Sequence, residues 1–324
     1  MVLYLINSTA QTADGYTATD FFLISLVIVN IQAYIPKGPL KEFVHTIHFI
    51  HGKESGTGVA FPRMEQVIII NLGTRFSSSD VYAPEASAVV RETSSTVWIN
   101  GKQDDPFLLG NSGVTAMYAI GLKLGMVPYF ADLPAIETNN LAVGAENWTS
   151  CGIFELQQQL QECESVAAGF LLIESYLLNL LRGRDFSHLE RVKWLSRAMH
   201  TQTVADICRS LGMTRKRLRS EAQHYFGGSV KNIQGIIRLN RTLTTIAAAT
   251  TGIGPAANEG NGSLSSLHEY FDQAHFIHDF KARTGITPLQ YRRLCRQFPF
   301  IAHTPNFIAL PRETFLQFIS GQGR

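Results

Sequence analysis

The sequence has little charge, little cysteine and no long apolar run. Charged residues make up 17% of its 324 residues and hydrophobic residues 45%, a globular balance that excludes a mostly disordered chain and a polytopic membrane protein. The four cysteines show neither C-x-x-C nor metal-ligand spacing, so we expect reduced thiols, no bound metal and a cytoplasmic protein. The apolar run at 21–29 is shorter than the ~20 residues that span a bilayer, and no Lys or Arg precedes it. We therefore expect neither a membrane anchor nor a secretory signal.

The charge is divided unequally along the chain. Residues 1–180 contain 8 Lys+Arg and 17 Asp+Glu, and residues 181–324 contain 20 and 9, so the net charge of +2 is the sum of about −9 and +11. A basic C-terminal part attached to an acidic domain is typical of proteins that bind nucleic acid.

Patterning predicts a β-rich region followed by a helical one. Short apolar runs broken by Gly, Pro, Ser and Asp fill residues 34–147, and beyond Trp148 apolar residues recur at helical spacing. Ser187 and Glu190 have the spacing of a capping box, which predicts that a new helix and a new domain begin near residue 183. The Gly- and Asn-rich stretch 250–262 is expected to separate two helical units. The predicted fold class is α+β multidomain, with an extension at 1–33, a β-rich sensor or dimerisation domain with a helical tail at 34–182, an all-α DNA-binding domain at 183–300 and a C-terminal tail at 301–324.

Residues 203–225 have the pattern of a helix-turn-helix. Thr203 is a helix cap, Leu211-Gly212 supplies a turn with positive φ, and Thr214 caps a second helix. The inward positions are Val204, Ile207, Cys208, Leu218, Ala222 and Tyr225. The second helix and its cap then present candidate DNA-binding groups for phosphates and base edges, namely Thr214, Arg215, Lys216, Arg219 and Gln223. The alternative is a solvated basic face on a small helical domain.

The segment 272–293, DQAHFIHDFKARTGITPLQYRR, resembles the signature of AraC-type transcription regulators. TVADICRSLGMTRKRL at 203–218 resembles the first helix-turn-helix of that family, and Ile237-Arg-Leu-Asn-Arg241 resembles its connecting helix. Residues 34–181 more weakly resemble the uncharacterised N-terminal domain of a subgroup, through Tyr34-Ile-Pro36 and Gly121-Leu-Lys-Leu-Gly-Met-Val-Pro128. The resemblance implies two helix-turn-helix units and a sensing or dimerising N-terminal domain.

The second unit is expected to bury Phe276 and Phe280, one helical turn apart, with Asp272 as a cap. Its outer face then carries Gln273, His275, His278 and Lys281, all of which can reach bases or phosphates. A metal pair formed by His275 and His278 is the alternative, although no third ligand has matching spacing. Two such units would enter successive major grooves about 34 Å apart.

The sequence departs from the family in both units. Ser220, Ala222 and Val230 stand where the family has Arg, Phe and Pro, which weakens one phosphate contact and some packing. Between Leu267 and Tyr270 about three residues are missing from the first helix of the second unit and its Gly turn.

Other constellations are weaker. His45 and His51 lie on one face of a predicted strand and His48 on the other, which does not favour a three-histidine metal site over ordinary strand histidines. Aromatic residues could line an effector pocket or simply form core, namely Phe61, Trp98, Tyr118, Phe130 and Trp148. No catalytic set can be assembled, and no cofactor is predicted.

The leading hypothesis is a sequence-specific transcription regulator, not an enzyme, whose partners are double-stranded DNA, a second copy of the chain, a small-molecule effector and, for an activator, RNA polymerase. One rival is a small-molecule-binding protein or enzyme in which the N-terminal domain acts. The other is a decayed regulator with weak DNA affinity.

Overall fold

The computed structural model describes residues 30–52, 56–83, 91–92, 95–111, 113–148, 152–253 and 273–320. Four predictions lie outside these residues. They are the extension up to residue 29, the part of the separating stretch beyond residue 253, the cap by Asp272 and the shortened helix between Leu267 and Tyr270.

Two antiparallel sheets, formed mostly by N-terminal residues, make up the β-rich region of the described chain. Their strands are β1 (Asn30–Tyr34), β2 (Val44–Gly52), β3 (Gly56–Ala60), β4 (Gln66–Asn71), β5 (Phe76–Asp80), β6 (Arg91–Glu92), β7 (Val97–Asn100), β8 (Phe107–Asn111), β9 (Thr115–Leu122), β10 (Ala142–Gly144) and β11 (Phe307–Ile308). The first sheet has the order β1-β2-β9-β4-β7-β10 and the second the order β11-β3-β8-β5-β6.

The first sheet lies between the second sheet and a layer of helices. All six residues of β4 are buried, which requires cover on both faces. Ile68 and Ile70 belong to the core that packs under the helices, whereas Val67 and Ile69 belong to the core between the two sheets. The alternation of side chains along the strand therefore sends neighbouring residues into different layers.

Helices dominate the rest of the described chain. They are α1 (Val127–Phe130), α2 (Ile153–Gln161), α3 (Val166–Leu181), α4 (Leu189–Ala198), α5 (Val204–Leu211), α6 (Arg215–Phe226), α7 (Val230–Thr251), α8 (Gln273–Thr284), α9 (Pro288–Gln297) and α10 (Arg312–Ile319). Short 3-10 helices occupy Gly38–Glu42, Ala135–Thr138, Ala145–Asn147 and Pro299–His303. None of the helices in the described ranges is both long and apolar enough to cross a membrane.

The predicted order, a β-rich region followed by a helical one, is confirmed. The capping box at Ser187 is wrong. The hydroxyl of Ser187 lies 2.9 Å from the carboxylate of Asp185, and α4 begins at Leu189 after His188, which forms no side-chain cap bond. The Asp185 carboxylate also accepts the backbone N–H of Ser187 at 2.8 Å. The hydroxyl and the backbone N–H that a capping box would use are therefore bonded to Asp185 in a local turn.

Residues 30–34 and 301–320 are part of the folded structure. Strand β1 pairs with β2 from Asn30↔His51 to Tyr34↔Ile47. Near the other end of the chain, β11 pairs with β3 through Phe307↔Ala60 and Ile308↔Val59. The segment predicted to be a C-terminal tail therefore adds an edge strand to the second sheet.

Candidate nucleic-acid interface

Side-chain caps fix the first helix pair at both helix starts. Thr203 accepts the backbone N–H of Asp206 at the start of α5, and Thr214 accepts that of Arg217 at the start of α6. Between the helices Gly212 has φ +59°, a conformation that glycine adopts without a steric penalty. The turn predicted from the sequence is present.

Helix α6 buries one face and exposes a basic one. Leu218 and Ala222 are 1% and 0% exposed. Arg215, Lys216 and Arg219 are exposed, and within the described residues no ion pair holds any of the three. Their donors therefore face solvent, where an external anion can take them.

A carboxylate on α6 pairs with two other arginines. Glu221, 15% exposed, lies 3.1 Å from Nε of Arg191 on α4 and 3.6 Å from Nε of Arg217. Neither arginine was singled out from the sequence. The role of Arg191 depends on a contact between two separate helices, which the sequence does not show. The ion pair between Arg191 and Glu221 positions α4 against α6. In the described part of the chain, Glu221 does not pair with the exposed cations Arg215, Lys216 and Arg219.

Predicted outer-face residues of the second unit share one exposed surface. Phe276 and Phe280 on α8 are 5% and 0% exposed, with ring centroids 6.0 Å apart. The four predicted polar residues Gln273, His275, His278 and Lys281 are all exposed. Their placement agrees with the face predicted from the sequence, while contact with DNA stays a prediction.

Helix α9 and the C-terminal segment support α8 from behind. Thr287 and Gln290 form a reciprocal capping box at the start of α9. The hydroxyl of Tyr291 donates to the carbonyl of Pro305 at 2.8 Å, and burial raises the pKa of this tyrosine well above its usual value. Tyr291 is therefore a neutral packing residue that joins α9 to the C-terminal segment.

Between the two units runs α7, a helix of 22 residues. Thr242 and Leu243, near its middle, are fully buried. Arg241 lies 3.2 Å from Nδ1 of His200, beyond α4, and burial, together with that arginine, lowers the pKa of His200. The connecting helix is thus packed along its length rather than exposed as a flexible linker.

Histidines and cysteines do not converge on a metal centre in the described ranges, where no group of three or more His, Cys, Asp or Glu side chains could hold an ion. His48 is 1% exposed and its Nδ1 lies 3.4 Å from the Thr46 hydroxyl. His51 instead stacks on Phe49, with ring centroids 6.2 Å apart.

Of the two alternatives for the five aromatic residues, pocket lining or core, the core alternative holds for most of them. Tyr118, Phe130 and Trp148 belong to the core under the helices, and Phe61 packs against Tyr291 of the second unit. Trp98 lines a cavity that lies between the two sheets. The sequence could place these residues on strands but could not show which layer each strand face would meet.

Solved structures of ToxT from Vibrio cholerae are structural neighbours of this chain. A P21 crystal form has TM-score 0.38 and 12% identity and covers 82% of this chain and 98% of its own. An apo variant has TM-score 0.37 and 12% identity (84% and 99% covered), and wild-type ToxT bound to an unsaturated fatty acid has 0.37 and 13% (84% and 97%). ToxT is an AraC-family regulator, the family that the sequence resembles. Similarity this low does not transfer a ligand, a partner or an activity. No family model and no curated protein matches the sequence.

Proposed function

We propose that the protein is a cytoplasmic, sequence-specific DNA-binding transcription regulator of the AraC type, and not an enzyme. Residues 183–300 would bind DNA, and residues 34–182 would sense a small molecule and pair two copies of the chain. For an activator, RNA polymerase would be a further partner.

The observation that carries the proposal is a pair of exposed donor surfaces joined by a buried helix. Helix α6 presents Arg215, Lys216 and Arg219, and α8 presents Gln273 and Lys281. Arg can bind guanine bidentately and Gln can bind adenine, so both surfaces have the chemistry of base readout in a major groove. Because α7 is packed along its length, the two surfaces are held at a fixed separation, as an extended site requires.

Charge supports the same proposal. The basic half of the chain, about +11, contains both surfaces. Contacts between its cations and phosphates would fix the register on the duplex, and the outer residues of α6 and α8 would read sequence.

Selection of bound duplexes from a random pool, using the full chain, tests sequence-specific binding directly. On the selected site, Arg215→Ala and Gln273→Ala should relax discrimination at separate positions about one helical turn apart, each by roughly 1–3 kcal/mol. Matched controls are Arg75→Ala and Gln317→Ala, which remove the same groups from exposed positions outside the two surfaces.

The salt dependence of binding separates the rival functions. Each neutralised phosphate should steepen the fall of log K with log salt by about 0.9. A slope near zero with no enriched sequence would contradict the proposal and favour a protein that acts through its N-terminal domain. A steep slope with no enriched sequence would instead indicate the decayed regulator.

A further inference from the structure

A cavity of about 480 Å³ lies between the two sheets, within the size range of small-molecule sites. One wall is formed by the inner face of the first sheet, through Ile69, Trp98 and Met117. The opposite wall comes from β5 and β8 of the second sheet, through Phe76 and Phe107. Both walls are formed by paired strands, so the cavity is a feature of the sandwich itself.

Aromatic rings give the cavity flat apolar surfaces. Trp98 is 5% and Phe76 3% exposed, and their ring centroids lie 6.2 Å apart at an interplanar angle of 57°. Phe107 lies on the facing strand β8. Such surfaces suit a ligand with a planar ring, because offset and edge-on ring contacts are favourable.

One arginine reaches the cavity from a buried position. Arg63 is 8% exposed, and its guanidinium carbon lies 5.5 Å from the centroid of the Phe107 ring. Its backbone N–H donates to the carbonyl of Gln103 at 3.0 Å and its carbonyl accepts the N–H of Gln103 at 2.9 Å. This bridge holds the arginine at the cavity wall, where burial lowers its pKa and the charge of Glu65 opposes that shift.

The carboxylates of the cavity lie at its rim. Asp80 and Asp105 line it but are exposed to solvent, and Asp80 accepts the backbone N–H of Tyr82 at 2.8 Å. Water screens charges at an exposed rim far more than it screens a buried guanidinium. Among the charged residues that line this cavity, Arg63 is therefore the buried one.

We propose that this cavity binds a small organic acid with a planar apolar body, whose carboxylate pairs with Arg63 while its ring lies among Phe76, Trp98 and Phe107. A planar guanidinium matches a carboxylate through two parallel N–H···O bonds. This deepens the proposed sensing role by naming the ligand class, and only the description of the ligand as an effector depends on DNA binding.

Calorimetric titration of the full chain, without DNA, tests the site with benzoate, 2-naphthoate and indole-3-acetate against their neutral primary amides. At least one acid should bind at least 10-fold more tightly than its amide. Arg63→Gln should abolish that preference, whereas Arg75→Gln, which removes the same charge from an exposed position, should retain it. The acid–amide comparison on the unchanged protein stands even where Arg63→Gln fails to fold.

Two results would overturn the proposal. Equal affinity for acids and amides would show a cavity that takes neutral ligands. Absence of saturable binding by any of the three acids at millimolar concentration would remove this ligand class from the cavity. Since no DNA is present, either result leaves DNA binding untouched, and a protein that binds the acid but selects no duplex would contradict only the proposed function.

Discussion

The hydroxyl of Tyr82 donates a hydrogen bond of 2.5 Å to the backbone carbonyl of Thr284. Tyr82 follows strand β5 of the second sheet, and Thr284 is the last residue of α8. Residues on both sides of Tyr82, Asp80 and Ala83, line the cavity between the sheets. One short segment therefore contacts both the proposed ligand site and the base of the proposed second reading helix.

Tyr82→Phe keeps the ring and removes this hydrogen bond. We expect a loss of about 1 kcal/mol in the free energy of unfolding, the usual net value of one such bond. Hydrogen exchange should accelerate selectively at the end of α8, around Thr284, and remain unchanged in α6. Equal acceleration in both helices would show that the bond acts on global stability rather than on the second unit.

Gly285→Ala tests the close approach of the same ring. Gly285 has φ +76°, and a Cβ placed there would lie 2.3 Å from Cζ of Tyr82. The matched control is Gly183→Ala, with φ +75° and no atom within 4 Å of the new Cβ. We expect the control to cost roughly 1–2 kcal/mol from the left-handed backbone alone, and Gly285→Ala to cost clearly more. Equal urea midpoints for the two variants would contradict the tight contact.

The C-terminal helix α10 should be required for stability. Phe315 is fully buried in a core that also contains Phe61 of the β-rich region and Phe280 of α8. Phe315→Ala should destabilise the protein by about 3–5 kcal/mol, the usual cost of truncating a buried Phe. Its exposed neighbour Thr314 provides the control, since Thr314→Ala should stay within about 0.5 kcal/mol. Comparable urea midpoints for the two variants would show that α10 does not contribute to this core.

The ion pair between Glu42 and Lys193 should make stability depend on pH. The two side chains lie 2.7 Å apart across the contact between the β-rich region and α4, and the hydrogen bond from Lys193 lowers the pKa of Glu42 below its usual 4.5. The carboxyl of Glu42 has a higher pKa in the unfolded chain than in the folded protein. The stabilisation by the ion pair is therefore complete above pH 4.5 and is lost as pH falls through the lower folded-state pKa.

Glu42→Gln should therefore lower the urea midpoint at pH 7 and lose that difference from wild type as the pH falls below 4.5. Glu137→Gln, at an exposed position without an ion pair in the described structure, is the control and should track the wild type at every pH. A Glu42→Gln deficit that persists unchanged at pH 3 would assign the effect to packing instead of charge.

Local chemistry explains what the sequence determined by itself. A cap depends on a side chain and a backbone group three residues away, so Thr203 and Thr214 could be recognised as helix starts. The apolar spacing of Leu218 and Ala222 assigns the buried face of α6, and the exposed basic face follows from the remaining positions. Ser187 shows the limit of this reasoning, because the carboxylate of Asp185, two residues away, offered its hydroxyl a competing partner.

Only the tertiary structure decided which distant segments meet. Nothing local in residues 307–308 indicates that they pair with β3, some 250 positions earlier, because backbone hydrogen bonds between strands carry no sequence code of their own. Arg63 likewise appears in the sequence as an isolated arginine. Its burial beside Phe107 exists only because two sheets close over it. The helices and their exposed faces were thus encoded by neighbours along the chain, whereas the cavity and its attachment to the second unit arose from contacts between residues far apart in sequence.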